Sequence, residues 1–87
     1  MKYNIIKERK RMSYTYIKFE NQTYGEKAVS LLGQNGIKAN LRRNPNPNHK
    51  QGCNFALFVN GNIWDAYDII MKNHIKNLGV ESYRERL

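Results

Sequence analysis

A single cysteine, Cys53, is all the thiol this chain carries, so no disulfide can form within it. A small domain without such staples fits a reducing compartment, and the expected location is the cytoplasm. Long apolar runs are missing as well. No stretch approaches the roughly 18 residues of a membrane span, so no membrane partner is expected. The opening "MKYNIIKERKR" has charge but no apolar segment long enough for a signal peptide. The usual catalytic signatures are absent too. There is no nucleophile elbow, no glycine-rich loop to cradle phosphate, and no Cys-His-Asn arrangement that spacing can certify. A catalyst with its own turnover and a resident cofactor or metal are therefore not expected.

Acidic residues are scarce, 7 against 15 Lys and Arg, giving a net charge of +8. The excess is lopsided. Lys2, Lys7, Arg9, Lys10 and Arg11 face only Glu8 within residues 1–11, so the rest of the chain is only mildly basic. Lys7-Glu8-Arg9 can be encoded by a purine run of the kind that recruits bacterial ribosomes, just before Met12. Residues 1–11 thus read as a leader ahead of a natural start at Met12, with a basic arm for an acidic partner as the other reading. Residues 12–87 form one domain. A hydrophobic content of 40% with 11% aromatics supports a folded globule rather than a disordered chain.

Periodicity divides that domain into six elements. From 13 to 20, Thr15, Ile17 and Phe19 alternate with Tyr14, Tyr16 and Lys18, the two-residue repeat of a strand. Thr23-Tyr24-Gly25-Glu26 fits a capping box, and Tyr24, Ala28, Leu31 and Leu32 then share a helical face. Asn35-Gly36 supplies a left-handed stop, and Ile37, Ala39 and Leu41 begin a second strand. After a loop, Phe55, Leu57 and Val59 alternate with Asn54, Ala56 and Phe58. Asn62 can cap a second helix with Asp65 in its first turn, its buried stripe being Ile63, Ala66, Tyr67, Ile70 and Met71. Asn73-His74-Ile75-Lys76 echoes Asn35-Gly36-Ile37-Lys38, with His74 tolerating a left-handed conformation. A last strand falls within 75–83, and Gly79 marks a bulge. Two strand–helix–strand units in tandem read as an α+β, ferredoxin-like βαββαβ fold: a four-stranded antiparallel sheet, order 4-1-3-2, with both helices on one face.

This plan decides where Cys53 lies. Strand three runs antiparallel to strand one, so its start lies beside the end of strand one, near the first turn of helix one around Thr23, Tyr24 and Gly25. Unpaired N–H groups there favour an anion, and a helix N-terminus favours a thiolate over a thiol. Gly25 leaves room for close approach, Gly52 precedes the thiol, and Lys50 and Arg42 add positive charge. By parity Cys53 shares the inward face of Phe55 and Leu57. A presented, reactive thiol and a buried, inert core cysteine are both consistent with that spacing.

These residues carry a resemblance. The strand segment "YIKFENQTYGEKA", the helix-to-strand passage "LLGQNGIKANLRR" and a proline-bearing loop ending in Cys53 before "FALFV" resemble the selenium/sulfur carrier protein-like family of small bacterial ferredoxin-like domains. The similarity covers residues 16–83. Asn54 stands where the family has a glycine, and asparagine adopts positive φ only at a cost. An asparagine also follows the proline where an arginine is frequent, so an anion-binding role does not carry over at that position. The resemblance implies a carrier in which Cys53 accepts sulfane sulfur or selenium as a persulfide or perselenide. Its donor would be a cysteine desulfurase or selenocysteine lyase, and its acceptor an enzyme that modifies RNA or activates selenium. Three other readings compete. Tyr14, Tyr16 and Lys18 with Phe58 on the open sheet face could bind nucleic-acid bases, as RNA-recognition domains do, or that face, with Tyr14, Tyr16, Ala56 and Phe58 as the main exposed apolar patch, could form a homodimer interface. His49, Cys53 and His74 could hold zinc, short of a fourth ligand. Asp65 and Asp68 read as a solvated face that complements the helix dipole.

Overall fold

A computed structural model describes residues 13–84, so the expectations for residues 1–11 lie outside the described residues. The chain runs β1 (Ser13–Phe19), α1 (Gln22–Gln34), β2 (Ala39–Arg43), β3 (Phe55–Val59), α2 (Ile63–Lys72) and β4 (Val80–Arg84). The strands form one sheet in the order β2-β3-β1-β4, every neighbouring pair antiparallel. This is the ferredoxin-like plan. Among the described residues no helix is long and apolar enough to cross a membrane.

The register explains the single-sided core. Leu41 pairs with Leu57, Leu57 with Ile17 and Ile17 with Val80, so one apolar row crosses all four strands. Ile17, Phe19 and Leu57 pack against Ala28 and Leu32 of α1 and Ala66 and Ile70 of α2, with all seven fully buried. Each large apolar side chain so buried contributes about 1.5–3 kcal/mol. A slip of one residue would turn that row to the opposite face, so the pattern holds the register.

Two helix expectations need correction. The N-cap of α1 is Asn21, whose side chain accepts from the Tyr24 N–H at 3.1 Å, so the helix starts before Thr23. Asparagine competes well for this position, and Glu26 instead accepts from the Gln22 side chain at 2.6 Å. Met71 lies outside the buried stripe of α2 and is 49% exposed. Ile69 and Ile70 take the core-facing side at that level, which rotates Met71 outward. The cap of α2 is Asn62, as the sequence indicates, bonded to Trp64 N–H at 2.8 Å.

Both helices end alike. Ile37 N–H bonds Leu32 O and Gly36 N–H bonds Gly33 O, while Ile75 N–H bonds Ile70 O and His74 N–H bonds Met71 O. These are paired Schellman closures. Asn35 and Asn73 each add a side-chain bond to the carbonyl four residues back, Leu31 and Ile69, at 2.9 Å. The left-handed residue is Gly36 (φ 78°) in the first and His74 (φ 57°) in the second. Before β4, Leu78 N–H and Gly79 O both bond Lys18, so two residues oppose one and form the expected bulge.

The His74 position yields a test. His74→Gly should raise stability by up to about 1 kcal/mol, because glycine takes a left-handed φ without steric cost. His74→Val should lower it by about 1–2 kcal/mol. Urea unfolding midpoints at constant m-value read both effects.

Candidate functional site

The segment between β2 and β3 is held by its own asparagines. Asn44 Oδ1 accepts from Asn46 N–H at 3.0 Å, and Asn46 Oδ1 accepts from Asn48 N–H at 2.9 Å. Pro45 and Pro47 have no N–H, so each side chain reaches past a proline to the next donor, giving two successive Asx turns. His49 N–H closes onto Asn46 O at 3.1 Å, and the His49 Nδ1 lies 2.8 Å from the same oxygen. Cys53 N–H then bonds Lys50 O at 3.0 Å, with Gly52 at φ 96°. A turn with positive φ at its third residue is type II and calls for glycine there.

Asn44 anchors this loop to the sheet. It is the buried polar residue of the described chain, and its Nδ2 donates to Cys53 O at 2.8 Å. Its Oδ1 also accepts from the hydroxyl of Tyr16 at 2.9 Å, and Glu81 Oε1 lies 3.3 Å from the same hydroxyl. Asn46 Nδ2 donates to the other Glu81 oxygen at 3.3 Å. One chain of hydrogen bonds therefore runs from β4 through β1 to the backbone of Cys53. Burial, then the charge and hydrogen bond of Glu81, raise the Tyr16 pKa well above the ordinary tyrosine value, with smaller effects from Tyr83 and Cys53.

The Cys53 side chain is part-exposed and lines an open hollow of about 370 Å³. Glu20, Lys50, Gln51, Gly52, Lys76 and Leu78 complete its wall. Lys76 Nζ pairs with Glu20 at 3.4 Å and lies 5.8 Å from the centre of the Tyr24 ring. The hollow thus abuts the β1–α1 corner, since Glu20 directly precedes the Asn21 cap. Of the residues expected around the thiol, Gly52 and Lys50 share its hollow, and Tyr24 reaches it only through Lys76. Thr23 lies in the first turn of α1 and exposed to solvent, outside the hollow. Gly25 is buried, and the space above it holds Leu41: a Cβ there would fall 2.5 Å from Leu41 Cδ1, so this glycine serves helix–sheet contact. Arg42 pairs with Ala56 and so belongs to the open sheet face.

Sequence reasoning missed Asn44, Glu20, Lys76 and Glu81. Asn44 had a signal, the Asn-Pro-Asn-Pro-Asn repeat, whose spacing is that of linked Asx turns. Asn54 does not take the positive φ that a glycine replacement could require, because Gly52 supplies it one residue ahead of the thiol.

The open face is not the bare apolar plate expected. Tyr16 and Ala56 do lie on the side away from the helices, yet both are 0% exposed. The Phe58 ring sits 5.3 Å from Tyr16 and 6.1 Å from Tyr14, while Tyr14 stacks on Tyr83 at 6.0 Å. The rings have closed on one another, and Glu81 stands on this face together with Lys18 and Arg42. Among the described residues no three His, Cys, Asp or Glu side chains gather as a metal site requires.

The network predicts its own sensitivities. Asn44→Ala should cost about 2–4 kcal/mol, because it strands the Asn46 N–H and the Cys53 carbonyl and leaves the Tyr16 hydroxyl only the longer bond to Glu81. Tyr16→Phe should cost about 1–2 kcal/mol. Folded Tyr16 holds its proton more tightly than the unfolded chain does, so its contribution is full below pH about 10 and is lost as pH rises beyond that. Urea titrations at pH 8 and above 10 should show this loss in the wild type and a shallower one in Tyr16→Phe.

Set against known protein families, curated proteins and solved structures, the chain matches none of them.

Proposed function

We propose that this chain is a single-cysteine carrier of sulfane sulfur or selenium, with Cys53 as the acceptor. The observation that carries the reading is the setting of the thiol: part-exposed, at a hydrogen-bonded turn, in a hollow shared with Lys50 and Lys76. The resemblance of the loop and its flanking segments to selenium/sulfur carrier-like domains points the same way.

The chemistry is thiol exchange. The Cys53 thiolate attacks the terminal sulfur of a donor persulfide, the donor's S–S bond breaks, and the donor cysteine leaves as its thiolate. Cys53 then holds the sulfur as an anionic persulfide, and an acceptor nucleophile later takes it, returning the thiolate. No net oxidation occurs, and the step needs neither a metal nor a second cysteine. The selenium version proceeds through the perselenide. Lys50 suits the anion formed, and Lys76 lines the same hollow while paired with Glu20. The donor would be of the cysteine desulfurase or selenocysteine lyase type. The acceptor would be an enzyme that consumes sulfane sulfur or activated selenium.

Incubation with a cysteine desulfurase and cysteine should add one sulfur atom to the wild type and none to Cys53→Ser, as read by mass spectrometry of the intact chain. Lys50→Glu with Lys76→Glu should slow the loading several-fold without unfolding the domain. Equal loading of Cys53→Ser, or none of the wild type, would dismiss the carrier.

A further inference from the structure

Among the described residues the large hydrophobic side chains left exposed are Trp64 (60%), Met71 (49%) and Leu78. Trp64 and Met71 lie seven residues apart on α2, two helical turns, and so on one side of it. Tyr67 lies between them with its ring edge-on to Trp64 at 6.1 Å. The core takes the opposite side, through Ala66 and Ile70. Tryptophan and methionine at the centre of an exposed stripe are the residue types enriched at protein interfaces.

Charge decides the occupant. Asp65 stands in the first turn of α2 and Lys72 in the last. A second α2 laid antiparallel about a two-fold axis near Asp68 sets Trp64 against Met71 of the second copy. The same axis sets Asp65 against Lys72 of the second copy. A parallel partner would instead oppose acid to acid and base to base. The antiparallel match is self-complementary, as a two-fold interface must be, and the helix dipoles oppose favourably. Sulfur beside an aromatic ring adds a further attraction. Asp68 lies near the axis and faces its own copy, so each Lys72, 3.3 Å from Asp68 on its own helix, serves both that carboxylate and Asp65 of the second copy.

We propose that two copies of this chain associate through α2, antiparallel, with Trp64 of each packed on Met71 of the other. This is independent of the chemistry of Cys53. It also differs from a dimer through the open sheet, where Tyr16 and Ala56 have no surface to offer.

Sedimentation equilibrium of the full chain between about 10 μM and about 1 mM measures the association. Trp64 is the chain's one tryptophan, so its emission reports this contact alone. A dimer should form across that range, with emission shifting to shorter wavelength in step with the mass. Lys72→Glu should weaken association about tenfold or more, and adding Asp65→Lys should restore it by rebuilding the pair in reverse. Phe58→Gln on the open sheet should leave the constant unchanged, with circular dichroism confirming the fold of each variant. A monomer at every concentration overturns the proposal. So does a dimer that ignores Lys72→Glu, or one that is lost in Phe58→Gln.

Discussion

A phenol wholly covered by protein must place its hydroxyl, and Tyr16 does so by reaching across the sheet to Asn44. Leaving that hydroxyl unbonded would cost about 1–3 kcal/mol, a large part of what holds a domain of this size. Because Asn44 is also bonded to the Cys53 carbonyl, the demand of one strand residue fixes a loop that local sequence alone would leave adjustable. Glu81 completes the arrangement from β4, so three segments distant in sequence converge on one hydrogen-bonded knot. The position of the thiol is therefore a tertiary property.

That convergence gives the loop an unusual character for its length. Segments this long are commonly mobile, yet this one spends its backbone groups on two Asx turns and two closing bonds before β3 begins. In the carrier proposed above, a loop so bonded would present the thiol to successive partners in one pose. The exposed stripe of α2 ends at Met71, whose sulfur accepts from the Asn77 side chain at 3.4 Å, between Lys76 and Leu78 of the Cys53 hollow.

Much of the architecture was legible in the chain. Alternation in β1 and β3, the Asn62 cap and the repeated stop at Asn35 and Asn73 are local signals, each read within a few residues, and together they imply the strand order. His74 could be assigned its left-handed backbone by analogy with Gly36 alone. The failures share a cause. Thr23 looked the better cap because a glutamate followed at the right spacing, but Asn21 competes for the same orphan N–H groups. Met71 is apolar and adjoins Ile70, yet at 100° per residue it falls at the edge of the apolar arc, on the side of exposed Trp64. Tyr16 alternates as a surface residue should, and its burial depends on Phe58, Asn44 and Glu81, none near it in sequence. Gly25 read as space for a ligand because nothing in the sequence reveals that Leu41 fills it.

The account stands on the claim that Tyr16 and Asn44 hold the Cys53 loop, and native-state hydrogen exchange tests it most directly. The amides to follow are Asn46, bonded to Asn44 Oδ1, and Cys53, bonded to Lys50 O, compared with Leu57 in the central strand. In Tyr16→Phe the two loop amides should lose protection by about tenfold more than Leu57 does, because the loop then opens without the sheet. Equal loss at all three sites, or unchanged protection in the loop, would contradict it.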